Sequence, residues 1–182
     1  EREDYSCKDW DDIRVPAHIQ MEGYDAPQYA NVQYPWEGHE DIHPGEIPEH
    51  FNPVASYVKY FAVPEQMKGK RLFISFQGAE SGIALWLNGQ FVGYSEDSFT
   101  PSEFDLTPFI REKGNVLAVQ VHKMSTAAFL EDQDFFRFFG IYGNEPRAFF
   151  NDCKLVSVKM KVTAPEGKKV AAHFVLKDRE NN

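Results

Sequence analysis

The dipeptide Asn88-Gly89 lies between two runs of β-forming residues, and it constrains the fold more than any other feature of the sequence. Residues 83–87 and 90–94 are rich in aliphatic and aromatic side chains. Asn-Gly favours a type I′ turn, because both central residues of that turn need a positive φ angle. The sequence therefore predicts a two-residue β-hairpin at this point.

Three further segments have the composition of β-strands. Residues 57–63 are β-branched and aromatic, and Pro64 ends them because proline cannot donate to a sheet ladder. Residues 71–77 and 115–121 alternate between two faces, which predicts strands with one buried side. The predicted inward residues are Leu72, Ile74, Phe76, Leu117, Val119 and Val121.

Helical signals are weak. Residues 106–110 predict one short helical turn, with Thr107 as N-cap and Pro108 at the first helical position. Many short strands without a long amphipathic helix predict an all-β fold, a β-sandwich or jelly roll. Residues 5–50 predict long ordered loops, and the expected anchors of these loops are Ile13, Val15, Tyr24, Tyr29, Tyr34 and Trp36.

Two more strands are predicted at residues 154–162 and 169–176, and we place a domain boundary near Asn151. An isolated hairpin is marginal in water, so these strands either pair with the first domain or begin another. The sequence opens on Glu1 without an initiator Met or a signal-peptide pattern. We therefore expect a piece of a longer polypeptide, and the compartment, cytoplasm or periplasm, stays open.

The net charge of −9 limits the classes of binding partner that we expect. Such a surface repels nucleic acid and anionic membranes, and the sequence contains no apolar run long enough to cross a bilayer. Cys7 and Cys153 do not have the spacing of a metal site or a redox motif, so we expect two free thiols.

Residues 129–138 place three carboxylates and an amide between Leu130 and a run of aromatic residues. Aromatic rings cover the apolar faces of sugars, and acids accept hydrogen bonds from sugar hydroxyls. The segment therefore indicates either a sugar site or an acidic turn before a core strand. A less favoured interpretation takes two of Glu131, Asp132 and Asp134 as a retaining glycosidase pair, whose carboxyl groups lie about 5–5.5 Å apart.

Other candidate sites have weaker support. His39, His43 and His50 lie among acids, but the prolines and glycine of residues 44–48 argue against the helix that would align two of the imidazoles on a metal. A solvated loop is the favoured interpretation. Ser95 and Ser98 lack the Gly-x-Ser-x-Gly elbow of acyl-transfer enzymes.

Five motifs occur in a fixed order. Residues 15–27 contain Val-Pro and then Gln-Met-Glu-Gly-Tyr-Asp-Ala-Pro, and residues 29–35 read Tyr-x-Asn-Val-x-Tyr-Pro. The hairpin at residues 85–94 and the loop at residues 97–107 follow. Leu-Glu-Asp-Gln-Asp at residues 130–134, then Arg137 and Gly-Ile-Tyr at residues 140–142, complete the set. Together the motifs resemble the amino-terminal domain of bacterial β-galactosidases of glycoside hydrolase family 2.

The resemblance implies a galactose-binding-domain-like jelly roll over residues 1–150 and the start of an immunoglobulin-like sandwich over residues 151–182. In the family a TIM barrel follows, and it carries the catalytic glutamates and Mg²⁺. The positions that match the family's substrate-binding residues are Asn31, Val32 and Asp134, and Asp134 also matches a Na⁺ ligand. Glu131 and Asp132 are expected to shape the loop. The isolated chain is expected to be inactive.

The resemblance also implies a β-galactoside substrate, contacts with the rest of the same polypeptide and a homo-oligomeric full-length enzyme. Two alternatives remain, a free-standing carbohydrate-binding module and a domain of another family 2 glycosidase such as β-glucuronidase. The sequence departs from the family pattern after Tyr142, where Arg-Asp-Val is usual. A second Mg²⁺ site of some relatives is not expected here, because two of its ligand positions are Glu96 and Thr126.

Overall fold

The computed structural model describes residues 5–142, 149–150, 153–154 and 159–163. The strands are β1 (Ala17–His18), β2 (Gln28–Ala30), β3 (Val54–Phe61), β4 (Phe73–Phe76), β5 (Ala79–Glu80), β6 (Gly82–Leu87), β7 (Gln90–Glu96), β8 (Ser102–Asp105), β9 (Asn115–His122), β10 (Phe135–Arg137), β11 (Gly140–Ile141), β12 (Phe149–Phe150), β13 (Cys153–Lys154) and β14 (Lys159–Thr163). The helices are two 3₁₀ turns, Ile19–Glu22 and Glu65–Met67, and one α-helical turn, α1 (Ala128–Glu131).

The largest sheet has the strand order β14-β3-β9-β6-β7, and its neighbouring strands are antiparallel. Alternation puts one face of β9 inward, as predicted, because every second residue of a strand points to the same side. Leu117, Val119 and Val121 are at most 1% exposed. Leu85 and Leu87 of β6 are fully buried beside them.

A second layer closes the core. β4 pairs with β8, with Ile74 opposite Phe104. The predicted inward residues of this segment, Leu72, Ile74 and Phe76, are buried and belong to the same hydrophobic core as Leu85. Two sheets therefore pack face to face with a shared apolar interior, which confirms the predicted all-β sandwich.

The predicted hairpin joins β6 to β7. Asn88 has φ +54° and Gly89 has φ +79°, as a type I′ turn requires. The Asn88 side chain is buried and ties the turn to the next strand, since its amide donates to the Asn115 side chain at 3.0 Å and its Oδ1 accepts the Val116 N–H at 2.9 Å.

Small sheets fasten the amino-terminal loops to the sandwich. The sheet β1-β11-β5 brings Ala17 opposite Ile141, and the two-stranded ladder β10-β2 brings Tyr29 opposite Phe136. The Ile19 N–H donates to the Phe139 carbonyl at 2.8 Å. Both pairings join the start of the chain to residues near 140.

Two predictions need correction. β3 runs from Val54 to Phe61 rather than over residues 57–63. Residues 106–110 form a turn and not a helix, because Thr107 Oγ1 accepts the Leu72 N–H at 2.8 Å instead of capping a helix. Tyr29 anchors its loop by pairing with Phe136 in the β2-β10 ladder and not by burial in the core, since it is 55% exposed.

The structure describes part of the predicted carboxyl-terminal region. Strand β14 pairs antiparallel with β3, from Lys159 opposite Val58 to Thr163 opposite Val54. The strand predicted at residues 169–176 lies outside the described residues, and the domain boundary near Asn151 stays a prediction. Cys7 is buried, and the Cys153 side chain lies outside the described part, so the expectation of two free thiols stays a prediction.

Candidate functional site

The β2-β10 ladder brings together the two segments that the sequence singled out. Its register pairs Ala30 with Phe135, Tyr29 with Phe136 and Gln28 with Arg137. Asn31 is the next residue after β2, and Asp134 is the residue just before β10. The antiparallel register therefore places the Asn31 and Asp134 backbones at the same end of the ladder.

Asp134 is exposed, and one of its oxygens is held by the opposite strand. The Tyr29 hydroxyl donates to Asp134 Oδ1 at 2.5 Å, across 105 residues of sequence. This hydrogen bond raises the pKa of the Tyr29 phenol, because it favours the protonated form. The Tyr29 ring also contacts Phe136, with ring centroids 5.3 Å apart.

Asn31 and Val32 project from the same end of the ladder. Both are exposed, and Val32 is 93% exposed. Beside them Tyr34 stacks on Trp36 at 4.9 Å, and Phe129 packs on Trp36 at 4.8 Å. This end of the ladder therefore exposes an amide, an apolar side chain and a carboxylate, which are groups that suit a sugar.

The other two acids of the segment face different partners. Glu131 accepts the Ser98 N–H at 2.9 Å and the Ser98 hydroxyl at 2.7 Å. Asp132 forms an ion pair with Arg137. Each carboxylate fixes a different side of the loop that carries Asp134, so their geometry supports a structural role.

Arg137 is the residue that sequence reasoning missed most clearly. Its side chain is 8% exposed, and it binds the Asp132 carboxylate and donates to the Gln133 carbonyl at 2.7 Å. Its guanidinium lies 4.2 Å from the centre of the Phe135 ring. The sequence shows Arg137 inside a conspicuous motif, but nothing in the residue pattern reveals that it is buried.

A small cavity lies behind this loop, and Glu80, Lys123, Glu131 and Arg137 are among the residues that line it. Burial raises the pKa of Glu80 to about 7. The Tyr142 hydroxyl at 3.2 Å, Arg137 and Lys123 lower that pKa, whereas Glu131 raises it. Lys123 is itself buried and pairs with Asp25 at 2.6 Å. Sequence reasoning missed both pairings.

The histidine-rich loop is organised by a carboxylate. Glu40 accepts the backbone N–H groups of Glu49 at 2.9 Å and His50 at 2.7 Å, and also that of Phe51. His39 stacks on Phe51 at 3.7 Å. Within the described ranges no group of three or more His, Cys, Asp or Glu residues is placed to hold a metal ion.

The position of the second Mg²⁺ site is filled by hydrogen bonds. Glu96 accepts the Thr126 hydroxyl at 2.6 Å and the Ala127 N–H at 2.7 Å through one oxygen, and the Tyr94 hydroxyl at 2.6 Å through the other. These protein donors satisfy the carboxylate, so the residues present do not fit a metal there. Among the described helices, none is both long and apolar enough to span a bilayer.

A β-sandwich with this exposed surface belongs to the class of sugar-binding domains. The chain is a member of glycosyl hydrolases family 2, and the model of that family's sugar binding domain matches residues 4–145.

Curated relatives share much of the sequence. A β-galactosidase of Halalkalibacterium halodurans is 61% identical over 76% of this chain, and one of Clostridium acetobutylicum is 57% identical over 72%. A β-galactosidase large subunit of Latilactobacillus sakei is 47% identical over 81% of this chain. The chain spans 14%, 15% and 26% of the length of these three relatives.

Solved structures support the fold. A calcium binding mutant of Bacteroides uniformis β-glucuronidase 2 matches 96% of this chain and 23% of its own, with a TM-score of 0.56 and 15% identity. A β-glycosidase from Bacteroides vulgatus matches 96% of this chain and 24% of its own, with a TM-score of 0.53 and 19% identity.

Proposed function

We propose that this chain is the sugar-binding domain of a retaining β-galactosidase that hydrolyses terminal β-D-galactosides. Family membership and the names of relatives at up to 61% identity support this function. The observation that carries it is the β2-β10 register, because it brings Asn31 and Asp134, the two polar residues matched to the family's sugar contacts, to one exposed edge.

Each site residue has a defined role in the proposal. Asp134 accepts a hydrogen bond from the 6-hydroxyl of galactose and binds Na⁺, since a carboxylate oxygen is a suitable ligand for both a hydroxyl and a hard cation. Its Oδ1 accepts the Tyr29 phenol, and the carboxyl group is exposed. Asn31 hydrogen-bonds sugar hydroxyls, and Val32 offers an apolar surface beside it.

The domain binds and orients substrate but does not break the bond. Glu131 and Asp132 are engaged by Ser98 and Arg137, which favours a structural role for both. The family resemblance assigns the catalytic glutamates and Mg²⁺ to a barrel elsewhere in the polypeptide. Residues 1–150 form the sugar-binding jelly roll in this proposal, and residues 151–182 begin an immunoglobulin-like domain. The remaining Na⁺ ligands come from outside this chain.

The test uses the full-length enzyme with Asp134→Asn, which keeps the shape and removes the charge. The expected result is a KM for a β-galactoside raised about tenfold, from the loss of a charged hydrogen bond, and activity that no longer responds to Na⁺. Glu103→Gln, an exposed acid on β8, is the control for charge. An unchanged Na⁺ response in Asp134→Asn refutes the site.

The oligomeric state of the full-length enzyme is a further part of the proposal. Several relatives are named large subunits, which supports an enzyme built from more than one chain or domain. We propose that the full-length enzyme forms a homo-oligomer, and light scattering of the purified enzyme tests this. A monomer at working concentration would reject it.

A further inference from the structure

Tyr29 is outside the proposed set of sugar contacts, yet its hydroxyl binds the most important of them. We propose that Tyr29 is a positioning residue, which fixes the orientation of the Asp134 carboxylate so that Oδ2 is presented to the sugar hydroxyl and the cation. This inference rests on the proposed function of Asp134 and adds a residue to it.

The hydrogen bond has the geometry of a strong one. The Tyr29 hydroxyl lies 2.5 Å from Asp134 Oδ1, at the short end of the range for a hydroxyl donating to a carboxylate. The donor and the acceptor belong to opposite segments of the β2-β10 ladder. The bond therefore ties the orientation of Asp134 to the register of the two strands.

The Tyr29 ring is itself held in place. Phe136 lies directly opposite Tyr29 in the ladder, and the two rings are 5.3 Å apart at their centroids. A tyrosine has two side-chain torsions, and a ring contact restricts both of them. Phe136 thus supports Tyr29, and Tyr29 supports Asp134.

An exposed carboxylate needs such a partner in order to bind well. Without a donor on Oδ1, the Asp134 side chain would sample several rotamers, and binding would have to pay for ordering it. With the Tyr29 hydroxyl on Oδ1, Oδ2 keeps both of its acceptor sites for the ligand. The hydrogen bond from Tyr29 therefore restricts the Asp134 side chain to one orientation, in which Oδ2 can accept from the ligand.

A purely structural role for the hydroxyl is the competing interpretation. Tyr29 is 55% exposed, and Tyr29→Phe keeps the ring and its contact with Phe136. We therefore expect this variant to keep the melting temperature of the wild type. A readout specific for the 6-hydroxyl separates the two interpretations, because a general loosening of the fold would weaken every substrate alike.

The experiment compares a β-galactoside with its 6-deoxy analogue on the full-length enzyme. For Tyr29→Phe, we expect the KM for the galactoside and the half-saturating Na⁺ concentration to rise about tenfold, as for a lost hydrogen bond to a charged group. We expect the KM for the 6-deoxy analogue to change by less than about twofold. Tyr60→Phe is the control, since it removes the hydroxyl of a tyrosine of similar exposure, 51%, on β3.

Two outcomes overturn the inference. One is an equal rise in KM for both substrates, and the other is a Tyr29→Phe effect that persists in full in the Asp134→Asn background, where positioning predicts no further change. If Asp134→Asn alone changes neither KM nor the Na⁺ response, the sugar role fails and this inference fails with it. If Asp134→Asn acts as expected and Tyr29→Phe does not, the positioning role alone fails.

Discussion

The large sheet and the β2-β10 ladder are built by different forces. The sheet runs eight residues in β3 and in β9, and its inner face is apolar. The ladder has three residues in each strand, and it is oriented by two polar contacts, that of Arg137 with Asp132 and that of Tyr29 with Asp134. The first region is stabilised by burial of apolar surface, and the second is oriented by specific polar partners.

The largest effect should come from breaking the sheet core. Leu85 is fully buried between the two layers, and Leu85→Ala should cost about 3–4 kcal/mol of unfolding free energy, since it leaves a cavity as well as losing burial. Urea denaturation measures this. Leu130→Ala is the matched control, because Leu130 is 91% exposed and its loss should stay within about 0.5 kcal/mol.

The next effect should come from the ladder. Arg137→Met removes the partner of Asp132 and should cost about 2–3 kcal/mol, because it leaves a partly buried carboxylate unpaired. Hydrogen exchange should speed up at residues 131–135 more than in β9. Arg71→Met is the control: Arg71 pairs with Asp105 at 2.7 Å but is 72% exposed, so its loss should cost less than about 1 kcal/mol. If both substitutions lowered the unfolding free energy equally, the proposed difference between the buried and the exposed ion pair would be wrong.

The two regions also differ in how far the sequence predicts them. The hairpin at Asn88 is set by local turn chemistry, and alternation identified the inward residues of β9 and β4, because both signals lie within a few residues. The contact of Tyr29 with Asp134 spans 105 residues and depends on a register that neither three-residue strand encodes alone. The family motif indicated Asp134, but local pattern could not show which residue orients it.

Glu80 lies where the two regions meet, and its charge should make stability depend on pH. Burial raises its pKa from 4.5 to about 7, so the folded state binds more protons than the unfolded state between these values. This contribution to stability is present below about pH 4.5 and declines as pH rises towards 7. Across this range the loss should be about 3 kcal/mol.

Glu80→Gln tests this contribution directly. The variant should not lose stability as the pH rises from 4.5 towards 7. It should be more stable than the wild type at pH 8, because it has no buried carboxylate to ionise at this position. Thermal unfolding at several pH values between 5 and 8 measures the difference. A wild-type profile that runs parallel to that of Glu80→Gln would show that Glu80 ionises normally.

The smallest effect on stability should come from the loop around Glu40. Its pH dependence is opposite to that of Glu80. Desolvation alone would raise the pKa of Glu40, but the N–H donors of Phe51, Glu49 and His50 together lower it. Its stabilising contribution is therefore present above its unfolded pKa and is lost as pH falls through the folded value. Because the carboxylate is at the surface, we expect a local rather than a global change.

Glu40→Gln should weaken the three backbone contacts without disturbing the sandwich. We expect lower hydrogen-exchange protection at the amides of residues 49–51 at neutral pH, and unchanged protection in β9. In the wild type the same amides should lose protection, after correction for intrinsic rates, as the solution is acidified below pH 4. If Glu40→Gln instead destabilised β9 as well, the loops and the sheet would unfold as one unit, and the division between the two regions would be wrong.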